Sequence, residues 1–177
     1  MSFKGVMKKM NDLNYQIRKA NENDLNRITE IYNWAVQNTV ATFDLENRTE
    51  EKAQEWFSLH QDPYYPLFIA EIHNEIIGWA SISPFHPRPA YKASGEFSIY
   101  IAPEFQKQGL GKRFLATLCD TAQQLGYHTL LGLITGTNAP SLSVAEKLGF
   151  KEAGRYQEIG QKFGKILDVV VVQKIFA

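Results

Sequence analysis

Residues 106–112 read QKQGLGK: two glycines two apart, with lysines on either side and Arg113 next. The apolar run FSIYI precedes them and an amphipathic pattern follows. The segment therefore reads as a turn from a strand into a helix. Glycine there permits a positive φ and lets another molecule approach the backbone. A helix entry presents unpaired N–H groups at the positive end of its dipole. With Lys107, Lys112 and Arg113 nearby, this is chemistry for an anion, a phosphate above all. Two phosphate motifs fail here. A P-loop wants glycine at 106 and Ser or Thr at 113, where Gln106 and Arg113 stand. A dinucleotide fingerprint wants a third glycine where Phe114 stands. Taken alone, the Gly-x-Gly fits a glycine-shaped turn equally well.

Glu96 heads the strand before this turn. Strand alternation puts Glu96, Ser98 and Tyr100 on one face and Phe97, Ile99 and Ile101 on the other. A carboxylate on so apolar a strand is either a general base, its pKa raised by burial, or a strand-end side chain reaching water. Arg88 sits between two prolines in HPRPAY. A guanidinium held there suits a carboxylate or phosphinate, with Tyr91 beside it, or else it is a solvated loop arginine. His60, His73, His86 and His128 are scattered without ligand spacing, so no metal is expected. Of these, only His86 lies beside Arg88. Cys119, with no histidine placed to serve it, reads as core, as do Trp34, Trp56 and Trp79.

The elements that must hold these residues follow from period and punctuation. A short strand at 15–20 precedes a helix with Leu25, Ile28, Ile31 and Ala35 on one face, capped by Asn21 with Asp24. The segment 39–49 is a loop and 50–61 a second helix, ended by Asp62-Pro63. Strands at 66–72 and 75–83 form a hairpin around His73 and Asn74. A proline-rich loop, the strand 96–102 and a third helix through Leu110, Phe114, Leu118 and Leu125 follow. The strand 129–134, a fourth helix at 139–149, and strands at 150–156 and 165–176 complete the chain. This is an α+β fold with a mixed sheet. One domain is expected over 14–177, with 1–13 a polar extension.

Nineteen basic and nineteen acidic residues cancel, which argues against nucleic acid as a partner, and no polybasic run suggests a membrane surface. A single cysteine, no secretory leader pattern and no long apolar run point to a cytoplasmic domain.

The order Gln-x-x-Gly-x-Gly, strand, then TNAPSLSVAEKLGF at 137–150 resembles the acetyl-CoA signatures of the GNAT superfamily of acetyltransferases. The segments TVATFD, PFHPRPAYKASGEFSIYI and GRYQEIGQKFGKILDVVVVQK resemble, more narrowly, its phosphinothricin and methionine sulfoximine N-acetyltransferase branch. The resemblance implies a mostly antiparallel central sheet flanked by helices, splayed between its fourth and fifth strands, with a bulge in the fourth. It implies acetyl-CoA as co-substrate and no metal. The backbone of Gln106, Lys107, Gln108, Gly109, Leu110, Gly111 and Lys112 would take the pyrophosphate. Ile99, Tyr100 and Ile101 would pair with the pantetheine arm, and Asn138 and Ser141 would contact it. Asn138 is equally an N-cap, and Ser141 a helper in that cap. Glu96 aligns with the family's catalytic base. Phe43, Arg88, Tyr91 and Tyr100 would line the acceptor pocket, Phe43 otherwise packing the first helix onto the sheet. Where many members carry a tyrosine acid, this chain has Ala145. Where herbicide-resistance members carry histidines, it has Phe163 and Leu167, which points away from phosphinothricin itself. The expected reaction is acetyl transfer to the α-amine of a small amino acid or analogue, by a homodimer. The alternatives are acetylation of a protein N-terminus or another amine, or a non-catalytic module that binds CoA.

Overall fold

The computed structural model describes residues 15–176, so the extension expected at 1–13 lies outside the described residues. The elements are β1 (Gln16–Lys19), α1 (Leu25–Asn38), α2 (Glu50–Leu59), β2 (Leu67–Ile72), β3 (Glu75–Pro84) and β4 (Ser94–Ile101). Then come α3 (Leu110–Gln124), β5 (Thr129–Thr135), α4 (Ala139–Lys147), β6 (Lys151–Lys162) and β7 (Lys165–Ile175). One sheet runs in the order β1-β2-β3-β4-β5-β7-β6. Every neighbouring pair is antiparallel except β4 with β5. Among the described residues, no helix is long and apolar enough to cross a membrane.

Local chemistry explains the start. The Asn21 side chain accepts from the Asn23 N–H, and Asp24 accepts from the Asn21 N–H at 2.8 Å. This box opens a short 3-10 turn that α1 continues. At the β2–β3 turn, His73 and Asn74 both take positive φ, 49° and 67°, which matches the twist of a two-residue hairpin.

Each face of the sheet has its own core. On one face α3 and α4 bury Phe114, Leu115, Leu118 and Ala145 against Ile77, Ile82, Leu130 and Val170. Phe114 alone contributes roughly 2–3 kcal/mol by leaving water. On the other face α1 and α2 bury Ile28, Ile31 and Phe57 against Ile69 and Trp79, whose indole N–H donates to the Ile28 carbonyl at 3.1 Å. This second core contains no residue of β5, β6 or β7. The far half of that face is left to whatever lies over the fork.

Two differences from the sequence reading have physical causes. The bulge expected in the fourth strand is absent from its pairing: β3 and β4 keep unbroken register from Gly78↔Ile101 to Pro84↔Gly95. The splay comes from β5, which pairs with β4 only at Ser94, Gly95 and Glu96 and follows β7 along its full length. The last hairpin is also longer than its apolar pattern suggests, β6 running to Lys162. Register shifts at Glu152/Gly154 and Tyr156/Gly160 break the alternation, and nearly every β6 side chain is exposed.

Candidate active site

The parallel pair parts immediately after Glu96. Along a strand the N–H and C=O of one residue point the same way, and the direction alternates. The Ala93 carbonyl accepts from His128 and Thr129 on the β5 side, whereas Ser94 and Ala102 bond towards β3. By that alternation, Phe97, Ile99 and Ile101 aim their backbone groups into the gap. The Ile101 carbonyl is occupied by the Gln106 side-chain amide at 3.0 Å. Tyr100 offers the gap no main chain. Its ring packs edge-on against Tyr32, centroids 5.1 Å apart, and lies 4.8 Å from Trp79. Of Ile99, Tyr100 and Ile101, only the two isoleucines present backbone to the gap.

Glu96 stands at the apex of the fork, flanked by Ser83 on β3 and Leu131 on β5. It shares the α1–α2 face with Ser98 and Tyr100, as alternation requires, because the register is unbroken. It is half-buried, with no hydrogen bond or ion pair among the described residues, and burial raises its carboxyl pKa.

At the other end of β4 a 3-10 turn, Pro103–Phe105, leads into the glycine loop. Lys107 takes φ 59° and Gly109 φ 93°, so the loop enters α3 through two left-handed residues. The Gln108 amide donates to the Glu104 carbonyl at 2.9 Å and braces the loop from outside. Leu110 is buried in the first core, so only its backbone is available. Lys107 and Lys112 are exposed. No side chain caps α3, although α2 and α4 are capped by Thr49 and Asn138. Gly111 has an ordinary φ, and a methyl group there would meet Ile101 Cδ1 at 3.6 Å, an ordinary contact. The fold does not require this glycine. The room above it and the open N–H groups suit an anion arriving from outside.

Asn138 caps α4, its side-chain oxygen accepting from the Ser141 N–H at 3.3 Å. Its amide N–H groups have no partner among the described residues. Ser141 is half-buried beside it.

The residues expected to line an acceptor pocket fall into two groups. Arg88 and Tyr91 stand exposed on the turn before β4, Tyr91 lying 4.8 Å from the His86 ring. Phe43 and Tyr100 lie towards the other end. There the loop between α1 and α2 meets a cluster that sequence reading missed. The Tyr32 hydroxyl donates to Asp44 at 2.6 Å and lies 3.0 Å from the Thr42 hydroxyl. A carboxylate only accepts and a phenol has one proton, so Thr42 must donate to Tyr32. Arg48 stacks on Tyr32 at 4.1 Å and on Trp56 at 4.6 Å. Burial pushes the Tyr32 and Tyr100 phenols up, so both stay protonated. A cavity of about 180 Å³ lined by Asp44, Glu46, Asn47, Arg48 and Lys52 adjoins the loop, with no residue from β4. No spacing in the sequence joins residues 32, 42, 44, 48 and 100. Among the described residues, no group of three His, Cys, Asp or Glu could hold a metal ion.

Comparison with known proteins places this geometry. The pattern of the Acetyltransferase (GNAT) family matches residues 28–150. A phosphinothricin N-acetyltransferase of Streptomyces coelicolor is 36% identical over 157 residues, 87% of this chain and 92% of its own. The L-methionine sulfoximine/L-methionine sulfone acetyltransferase of Pseudomonas aeruginosa is 34% identical over 163 residues, 89% and 92% of the two chains. Among solved structures, a phosphinothricin acetyltransferase from Sinorhizobium meliloti in complex with acetyl-CoA is similar with TM-score 0.89 and 33% identity, covering 92% of this chain and 89% of that one. A ribosomal-protein-alanine N-acetyltransferase from Brucella melitensis is similar with TM-score 0.87 and 35% identity, covering 91% and 99%.

Proposed function

This chain belongs to the GNAT family of acetyltransferases and uses acetyl-CoA to acetylate an amine; from that premise we propose that its acceptor is the α-amine of a small amino acid or analogue, with Glu96 as general base. The observation that carries the reading is Glu96 itself: a half-buried, unpaired carboxylate at the fork, on the face where the α1–α2 loop lies.

An α-amine with pKa about 8 is mostly an ammonium at neutral pH and cannot attack. Glu96, its proton affinity raised by burial, takes that proton directly or through one water. The amine nitrogen then bonds to the carbonyl carbon of the thioester that acetyl-CoA supplies, the C–S bond breaks, the thiolate leaves, and the nitrogen gives up its second proton to water. The Gln106–Lys112 backbone fits the pyrophosphate, with Gly111 leaving the room. A free backbone N–H of Ile99 or Ile101 is placed to polarise the carbonyl. Asn138 offers its unused amide hydrogens to the pantetheine arm, with Ser141 beside it. Ala145, fully buried, has no proton to give, so the thiolate, with pKa near 8.5 by analogy with cysteine, leaves as such or takes a proton from water. Phe43, Tyr100, Arg88 and Tyr91 bound the acceptor, the last two from the exposed turn.

The apolar side chains of Leu133 and Tyr156 are exposed on the face that α1 and α2 leave uncovered. Burial of these against a second copy supports a homodimer, and the buried single thiol Cys119 suits a reducing compartment such as the cytoplasm. The exposed position of Arg88 and Tyr91, together with the Brucella melitensis relative, favours a second reading: a protein N-terminus as acceptor.

The test is thiol release from acetyl-CoA with a panel of free amino acids, methionine sulfoximine, methionine sulfone, phosphinothricin, a polyamine and an alanine-ended peptide. Turnover with one or a few amino acids is expected, with phosphinothricin poor because Phe163 and Leu167 offer it no imidazole. Turnover with the peptide alone would move the acceptor to a protein N-terminus.

A further inference from the structure

The α1–α2 loop is held by its own helices at Tyr32 and Asn33 and also by the far end of the chain. Three contacts show this. The Thr135 hydroxyl at the end of β5 donates to the Val40 carbonyl. The Lys162 ammonium, at the end of β6, donates to the Thr42 carbonyl at 2.7 Å. The Phe43 ring comes so close to Gly160 that a methyl group there would overlap it. Thr42 in turn bonds to Tyr32, which packs on Tyr100 of β4. The loop therefore spans the open fork between β4 and β5, and the β6–β7 hairpin is its cradle.

Lys162 is the unusual member. It is 3% exposed, forms no ion pair among the described residues, and its one hydrogen bond goes to a neutral carbonyl. Taking an ammonium out of water is costly, and one carbonyl, with the Phe163 ring centroid 5.2 Å from the nitrogen, repays only part of that. Burial accordingly lowers its pKa, opposed by the nearby charge of Asp44. A fold that needed only apolar filling would use methionine here.

We infer that Lys162 is a positioning residue for the acceptor site: its bond to Thr42 fixes the loop carrying Phe43 over the fork, so the β6–β7 hairpin shapes acceptor specificity without touching the acetyl donor. This rests on the amine-acetyltransferase reading. Two features make the assignment specific. The one-residue register shift at Glu152/Gly154 turns the even-numbered residues of β6 to the α1–α2 face, and the two-residue shift at Tyr156/Gly160 keeps them there, so a glycine meets Phe43 and a lysine meets Thr42. And among the described residues the proposed donor-binding groups, Gln106–Lys112 and Asn138, form no hydrogen bond with Lys162 or Thr42.

The experiment is steady-state kinetics of full-length Lys162→Met, with the acceptor and acetyl-CoA varied separately and a thermal melt alongside. The KM of the best acceptor should rise about tenfold, as for a lost charged hydrogen bond. The KM of acetyl-CoA should stay within about twofold, and kcat should fall less than KM rises. Gly160→Ala, which displaces Phe43 and leaves the charge, should shift the same KM and stands in if Lys162→Met does not fold. Equal loss for both substrates would overturn the inference, as would an unchanged acceptor KM in a folded variant. A rise confined to acceptors with a carboxylate, absent for the matching amides, would overturn it too, because Lys162 would then be a ligand of substrate. If the wild-type enzyme turned over no amine of the panel, the proposed acceptor class would fall instead.

Discussion

The two sides of the fork are built from different materials. The proposed donor side is, apart from Asn138 and Ser141, main chain from one continuous stretch, 96–112: gap-facing amides on β4, then a loop that enters α3 through two left-handed residues, with no side chain capping that helix. Its side chains are core, like Leu110, tied back to the loop, like Gln106 and Gln108, or exposed, like Lys107 and Lys112. The proposed acceptor side is side chains from segments far apart: Tyr32, the loop 39–49, Arg88 and Tyr91, Tyr100, and the end of β6. Main chain suits a donor that never changes, since a phosphate asks only for N–H groups and room. Side chains suit an acceptor that differs among relatives, two of which are named for phosphinothricin and methionine sulfoximine.

Glu96 belongs to both sides, and changing it gives the largest effect. Glu96→Gln should lower kcat about a hundredfold or more, with acetyl-CoA binding by calorimetry unaltered. Near-wild-type turnover would remove the base from the fork and leave the donor side as a binding site only.

The next test asks whether the donor side is main chain in energetic fact. Gly111→Val puts a side chain into the open room without a backbone penalty, since Gly111 is an ordinary helical residue. Acetyl-CoA should bind about tenfold more weakly or worse, by the loss of a backbone–phosphate hydrogen bond, while the melting temperature holds. Lys107→Ala and Lys112→Ala, on exposed charges, should each change affinity less than about threefold at physiological salt. The reverse ranking would mean that charge, not backbone, holds the donor.

On the acceptor side, Tyr32→Phe keeps the ring against Trp79 and Tyr100 but removes the donor to Asp44 and the acceptor for Thr42. About 1 kcal/mol of stability should go with it, read by urea denaturation. The acceptor KM should rise and that of acetyl-CoA should not. A change in the acetyl-CoA KM would show that the two sides are coupled through Tyr100.

The same contrast decides what was legible in the sequence. The donor side could be read because its information is local: a strand, a Gly-x-Gly turn and a helix start within 17 residues of chain, and a capped helix after the next strand. The sheet was legible for the same reason, down to the His73–Asn74 turn. For the proposed acceptor side the sequence offered only Phe43, Arg88, Tyr91 and Tyr100, through resemblance. Tyr32, Arg48 and Lys162 carried no signal, because an aromatic in a helix, an arginine in a loop and a lysine in QKFGK read as ordinary packing or solvated charge. Lys162 in particular is turned towards the loop by the one-residue bulge between Glu152 and Gly154, and such a bulge shifts parity by one without leaving a mark in hydrophobic pattern. The bulge that resemblance placed in β4 was absent, and the fork still opened, because β5 takes its direction from β7.

The smallest expected effect concerns the cost of holding Glu96 ready. Burial raises its folded pKa above the ordinary 4.5, so the folded state keeps a proton that the unfolded chain has already lost. Below the unfolded pKa both states are protonated and the residue is neutral to stability. As pH rises from there through the folded pKa, the unfolded state binds fewer protons and stability falls, then levels off once both have ionised. Glu96→Gln has no proton to lose. It should therefore melt higher than wild type at neutral pH, with the gap closing below about pH 4, in a pair of thermal melts run across pH. An inactive variant that is also more stable is the signature of a group placed for function against the interest of the fold. A variant less stable at neutral pH would instead make Glu96 a structural carboxylate with a partner at the fork, and the base would have to be sought on the acceptor side.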